Sequence, residues 1–169
     1  MSRFADFAFS KVPEDYFSPM AGGKLDHFGY TTEDCEHPGQ TVEKFVTVYT
    51  PAGYDPAERY PILYLMHGAG DGETAWLGTA DAPSPFKHIL DHMIADGRLA
   101  PLLVATPMVR MGETNYGGTM FEFYREFVAD VLPAVESRYS THAVGTTPEA
   151  LAASRAWRGI GGFSLGSSM

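Results

Sequence analysis

Ser164 stands between two glycines in Gly162-Phe163-Ser164-Leu165-Gly166. The G-x-S-x-G spacing suits a serine at a strand-to-helix turn so tight that the flanking positions must lack side chains. A hydroxyl thrust out of such a turn can attack an acyl carbon, provided a base removes its proton. A second pattern lies upstream, where His67-Gly68-Ala69-Gly70 follows the apolar run Pro61 to Met66. Acyl transfer puts negative charge on a carbonyl oxygen. Two backbone N–H groups answer that charge, one following the nucleophile and one from the loop after an earlier strand. Leu165 is the candidate for the first, and Ala69 or its neighbour Gly68 for the second, because small residues let main chain approach a substrate closely. Taken alone, His-Gly-Ala-Gly reads equally well as an ordinary strand-to-loop turn. In this order with G-x-S-x-G, the two patterns support each other.

The segments around these motifs have the periodicities needed to hold them. Pro61-Ile62-Leu63-Tyr64-Leu65-Met66 and Leu102-Leu103-Val104-Ala105-Thr106 are short continuous apolar runs, as expected of strands buried on both faces of a parallel sheet. Thr41 to Thr50 alternates apolar and polar residues and predicts a half-covered strand near a sheet edge. Phe86, Ile89, Leu90, Met93 and Ile94 predict a helix stopped by Gly97. A second stripe from Met120 to Val135 predicts a long helix over about 119–139 despite Pro133. Thr146-Thr147-Pro148-Glu149 predicts a third helix capped by Thr146. Gly159 to Phe163 is then a brief strand delivering Ser164. Residues 1–40 carry many Pro and Gly and predict an irregular N-terminal arm with one short strand at most; residues 41–169 form the folding unit.

Composition excludes several classes. The 169 residues carry a net charge of −9, and their 12 Lys and Arg are scattered, which disfavours nucleic acid and anionic membranes as partners. No apolar run approaches a membrane span, and Met1 to Asp6 lacks a signal-peptide core, so the chain as written is expected to be cytoplasmic. Cys35 is the single cysteine, which rules out an internal disulfide. No cofactor or metal is expected. His88 and His92 lie one helical turn apart, but Ile89 stands where a zinc protease motif needs glutamate, so they read as solvated. Cys35 and His37 read as an acidic surface loop.

Tyr64-Leu65-Met66-His67-Gly68, Ala105-Thr106-Pro107, Phe123 to Phe127, Pro133 to Thr141 and Thr147 to Ser164 together resemble bacterial feruloyl esterases of the esterase D-like α/β-hydrolase group. The resemblance runs from about Thr41 onward. It implies an α/β-hydrolase sandwich with a mainly parallel central sheet and a serine esterase that removes hydroxycinnamoyl or acetyl groups from plant xylan. Members are often secreted or are modules of larger xylan-degrading enzymes. By the same resemblance Ser164 is the nucleophile, and Leu165 with Gly68 and Ala69 forms the oxyanion hole. Trp76 and Tyr116 follow the two central strands and are candidates to stack on a phenolic acyl group, and each also reads as a packing residue or loop plug.

In that fold the acid and histidine of the triad follow the serine, whereas here only Leu165 to Met169 follow it. The expectation is a hydrolase domain truncated after the elbow, inactive alone, with an open apolar sheet edge beside Ser164 that favours a homo-oligomer or a companion fragment. Two other readings stand beside it. One is a non-catalytic fragment or carbohydrate-binding module; the other is a different esterase, thioesterase or acyltransferase on the same scaffold.

Overall fold

Exposed Thr31 and Glu33 alternate with buried Phe28, Tyr30 and Thr32, and this period of two gives the segment its extended form. The computed structural model describes residues 11–34, 37–109 and 118–168. In it Lys24–Glu33 is a ten-residue strand, β1, paired along its whole length with β2, Thr41–Thr50. The segment expected as an irregular arm therefore contains the longest ladder in the sheet. Its glycines hid the pattern: Gly22 and Gly23 precede the strand, and Gly29 faces the Glu43 side chain, where a Cβ would lie 2.6 Å from Oε1.

Three further strands, β3 (Ile62–Met66), β4 (Leu103–Pro107) and β5 (Arg158–Gly162), complete a sheet of order β1-β2-β4-β3-β5. β4, β3 and β5 are mutually parallel, and β2 is antiparallel to both β1 and β4. β2 is thus one place in from the edge. Its second half is buried, since Val46, Val48 and Tyr49 are fully covered.

Side chains leave the central strands alternately. Ile62, Tyr64, Met66, Leu103 and Ala105 join Phe123, Phe127, Val131, Leu132 and Val135 in the main core. Leu65 and Val104 join Leu77 and Leu90, with Trp76, Phe86 and Ile94 against them. The sheet therefore carries apolar cover on both faces, as buried parallel strands require. Burial of each such Leu or Val contributes about 1.5–3 kcal/mol.

The first helix, α1, is Pro85–Ala95. Ser84 caps it, and the Gly97 N–H to Ile94 and Arg98 N–H to Met93 bonds, with Gly97 at φ +67°, close its other end as a Schellman turn. The long helix is present but not uniform. α2, Gly118–Glu126, passes through a π turn at Phe127–Val131 into α3, Leu132–Glu136. Pro133 has no N–H and its ring crowds the carbonyl four residues back, so the helix widens just ahead of it. α4 is Pro148–Ala153, and its cap is Thr147, whose Oγ1 accepts from the Ala150 N–H at 3.3 Å, rather than Thr146. Proline at the first helical position fixes that choice.

Candidate active site

β5 reaches Gly162 and the backbone reverses at Ser164, whose φ of +53° is the sole positive value of a non-glycine among the described residues. A side-chain-bearing residue in that region costs about 1–3 kcal/mol and is held only where the surroundings over-determine it. Both flanking glycines supply that constraint. A Cβ on Gly162 would sit 2.2 Å from the Gly166 carbonyl oxygen. One on Gly166 would sit 2.5 Å from the oxygen of His67 and 2.6 Å from that of Met66. The turn crosses over itself and rests on the end of β3, so neither glycine can be replaced without moving backbone. Gly166 N–H donates to Phe163 O at 2.9 Å, and Ser167 Oγ donates to Ser164 O at 2.6 Å. Residues 164–168 form a short 3₁₀ turn, and Ser164 is exposed at its start.

The His67-Gly68-Ala69-Gly70 loop lies against this turn. Besides the Gly166 contact, a Cβ on Gly68 would be 2.9 Å from the Phe163 ring, so the residue before the serine covers Gly68. Gly68 O accepts from the Asp71 N–H at 3.4 Å, and Gly70 has φ +78°, the pattern of a type II turn with Ala69 and Gly70 at its centre. Ala69 is exposed. The backbone segments bearing the two candidate oxyanion donors, Leu165 and Ala69, are therefore packed on each other. Parallel pairing of β3 and β5 brings them together, and their small residues let them touch.

Trp76 takes the packing role that its position after β3 also allowed. Its Nε1–H donates to Met66 O at 3.0 Å, and its ring meets Phe163 edge-on at 5.4 Å and tilts on Phe86 at 5.4 Å. It buttresses the elbow from below. Tyr116 lies outside the described residues, as does Cys35.

None of the six histidines is hydrogen-bonded to Ser164 among the described residues. His27 is bonded to Glu73 at 3.0 Å, His37 to Asp34 at 3.0 Å and His92 to Ser18 O at 3.1 Å, while His142 stacks on Trp157 at 3.8 Å. His67 is buried and bonded on both ring nitrogens. The expectation that His88 and His92 are solvated is corrected. His88 is only 8% exposed, and His92 stacks on Tyr16 at 5.0 Å where the turn Glu14–Phe17 packs on α1. Among the described residues no group of three or more His, Cys, Asp or Glu is arranged to hold a metal ion.

The amino end of β5 is anchored by a buried polar cluster that sequence reasoning missed. Arg158 grips Glu136 through Nε to Oε1 and through Nη2 to Oε2 at 2.8 Å, and its Nη2 also donates to Ser154 Oγ at 2.7 Å. Thr141 Oγ1 and Tyr64 OH donate to the same carboxylate at 2.8 and 3.2 Å. Burial, and then the Glu136 charge, push the Tyr64 phenol well above its ordinary range. Nothing in the spacing of Glu136 and Arg158 marks them as partners. A cavity of about 340 Å³ opens on the same face nearer the β1 edge, lined by Thr32, Lys44, Val109, Phe123, Glu126 and Asp130, and it includes none of the candidate residues.

No family model matches the chain. It is 41% identical over 159 residues to endo-1,4-beta-xylanase Y of Acetivibrio thermocellus, covering 94% of this chain and 14% of that protein. Among solved structures it is 39% identical to the feruloyl esterase module of Clostridium thermocellum, determined as a serine-to-alanine variant complexed with sinapinate; the TM-score is 0.80, over 95% of this chain and 52% of that one. A CE1 ferulic acid esterase of Anaeromyces mucronatus in complex with ferulic acid, 20% identical with a TM-score of 0.65 over 91% of this chain and 54% of that one, extends the likeness in fold alone. Close structural neighbours of the chain are thus feruloyl esterases, and its architecture is that of an α/β-hydrolase. The chain spans about half the length of those solved esterases.

Proposed function

We propose that this chain carries the nucleophile half of a serine esterase acting on hydroxycinnamoyl or acetyl esters of plant cell-wall polysaccharide such as feruloylated xylan. The observation that carries the reading is the exposed Ser164 at φ +53°, framed by two glycines that backbone contact forbids to be anything larger. Its Oγ attacks the ester carbonyl carbon, and the Leu165 and Ala69 N–H groups hold the resulting oxyanion. The sugar hydroxyl leaves with a proton, and water then cleaves the acyl-serine to release the free acid. The likeness to the feruloyl esterase module bound to sinapinate supports a phenolic acyl group. Trp76, braced beneath the elbow, supports the floor of that site more than its wall.

Proton removal from Ser164 needs an imidazole that the described residues do not offer it. We infer that the base comes from polypeptide that pairs with the open edge of β5, whether a companion segment or a second copy. That edge bears Ile160 at 61% exposure, flanked by Trp157 at 50% and Phe163 at 44%. No helix among the described residues is long and apolar enough to cross a membrane.

The test measures release of acid from methyl ferulate, a short-chain nitrophenyl ester and a thioester, with and without Ser164→Ala. The expected result is preference for methyl ferulate and loss of turnover by at least ~10³-fold in the variant. Turnover that survives Ser164→Ala moves the chemistry elsewhere. Preference for the thioester favours the other scaffold activity, and absence of turnover even with a complementing chain favours a non-catalytic module.

A further inference from the structure

His67 is 1% exposed, and its surroundings dictate which ring nitrogen carries the proton. Nδ1 lies 2.7 Å from Gly68 O, which can only accept, so Nδ1 donates; Nε2 lies 2.9 Å from the Val109 N–H, which can only donate, so Nε2 accepts. The imidazole is thus a neutral, doubly engaged strut between the loop after β3 and the loop after β4. It cannot serve Ser164 as a base, since its basic nitrogen is occupied by Val109.

The bond to Gly68 O has a geometric consequence. Gly68 C=O and Ala69 N–H belong to one planar trans peptide, so they point in opposite directions. Nδ1–H draws the carbonyl toward the buried His67 ring, and the Asp71 N–H donates to the same oxygen at 3.4 Å. The Ala69 N–H must then face outward, and the Phe163 ring against Gly68 leaves little room for the peptide to turn over. We infer that His67 is a positioning residue: its Nδ1–H holds the Gly68–Ala69 peptide in the one orientation that presents the Ala69 N–H to an oxyanion on the acyl group at Ser164. This rests on the reading of Ser164 and Ala69 given above. A preset amide is worth more than one that must rotate during the reaction, because no reorganisation accompanies charge development.

Two near-isosteric variants separate the strut's two bonds. In His67→Asn the amide NH₂ stands near Nδ1 and keeps the donor to Gly68 O, losing the Val109 bond. In His67→Gln the side-chain carbonyl stands near Nε2 and keeps the acceptor for Val109, losing the Gly68 bond. Each deletes one bond, so a purely structural role lowers the thermal midpoint and the reaction rate alike in both. The probe is 4-nitrophenyl acetate in single turnover. Ser164 Oγ bonds to the acetyl carbon, nitrophenolate leaves with the electron pair, and the hydroxyl proton passes slowly to water in place of the imidazole that full turnover needs. The expected result is a burst rate about 10–100-fold lower in His67→Gln with unchanged half-saturation, and one within about threefold of wild type in His67→Asn. Equal effects in the two variants overturn the proposal.

A second measurement needs no turnover. Beyond the shift that loss of the ring causes in both variants, the Ala69 amide ¹H–¹⁵N resonance of the chain should move further in His67→Gln than in His67→Asn. Equal displacement in both overturns the positioning role. A burst that persists in Ser164→Ala instead removes the serine reading and leaves this amide test to judge His67 on its own.

Discussion

The two edges of the sheet are finished in opposite ways. β1 ends one side with ten residues whose outward positions include Lys24, Asp26, Thr31 and Glu33, and its hydroxyls reach inward, Tyr30 OH to Glu126 at 2.7 Å and Thr32 Oγ1 to Asp130 at 2.8 Å. β5 ends the other with Arg158-Gly159-Ile160-Gly161-Gly162, five residues that among the described residues pair only with β3. Its large outward side chain is Ile160. A charged edge discourages pairing with another chain, and a glycine-rich apolar edge invites it. The contrast teaches where the described residues close the sheet and where they leave a strand with one neighbour, and the candidate nucleophile emerges from that second side.

The largest effect that would break the comparison comes from the anchor of β5. Arg158→Met leaves Glu136 buried with its main counter-charge gone, so urea unfolding should show a loss of about 3–5 kcal/mol. A loss below about 1 kcal/mol would mean that the strand is held by its pairing to β3 alone.

Alkaline pH probes the well-covered side. Burial, followed by the Glu126 charge, raises the Tyr30 phenol above 10, and burial with Glu136 does the same for Tyr64. Both phenols ionise more readily unfolded than folded. Their contribution to stability is therefore full below the model-peptide value of 10.0 and is lost as the pH rises beyond it. The slope per tyrosine is at most about 1.4 kcal/mol per pH unit. Tyr30→Phe and Tyr64→Phe should each make unfolding free energy less steep between pH 10 and 11; an unchanged slope would refute the burial argument.

The smallest change in stability, within about 0.5 kcal/mol, is expected of Ile160→Lys, yet it sharpens the contrast most. Sedimentation velocity should show less self-association for Ile160→Lys and no change for Thr31→Lys on the opposite edge. Equal behaviour of the two would show that the edges do not differ.

Much of this was legible in the chain. The apolar runs at 61–66 and 102–106, the helix ending at Gly97 and the serine between glycines are local patterns whose cause lies within a few residues. β1 was obscured because Gly22, Gly23 and Gly29 read as breakers, while its extension comes from a partner, β2, that begins eight residues later. Arg158 with Glu136 and His67 with Val109 were not legible at all, since each pair is far apart in sequence and neither spacing has a local meaning. His88 looked solvated because helical periodicity shows a polar position without showing what packs over it.

The order of residues alone determined that a serine would sit at a pinched turn and that a small-residue loop would follow an interior strand, because backbone sterics at glycine and hydrophobic periodicity act over short range. Tertiary structure decided that the turn and the loop touch, that an imidazole strut joins the loop after β3 to that after β4, and that β5 has one strand neighbour among the described residues. Those outcomes depend on strand order and on buried hydrogen bonds whose partners meet only when the whole sheet has formed.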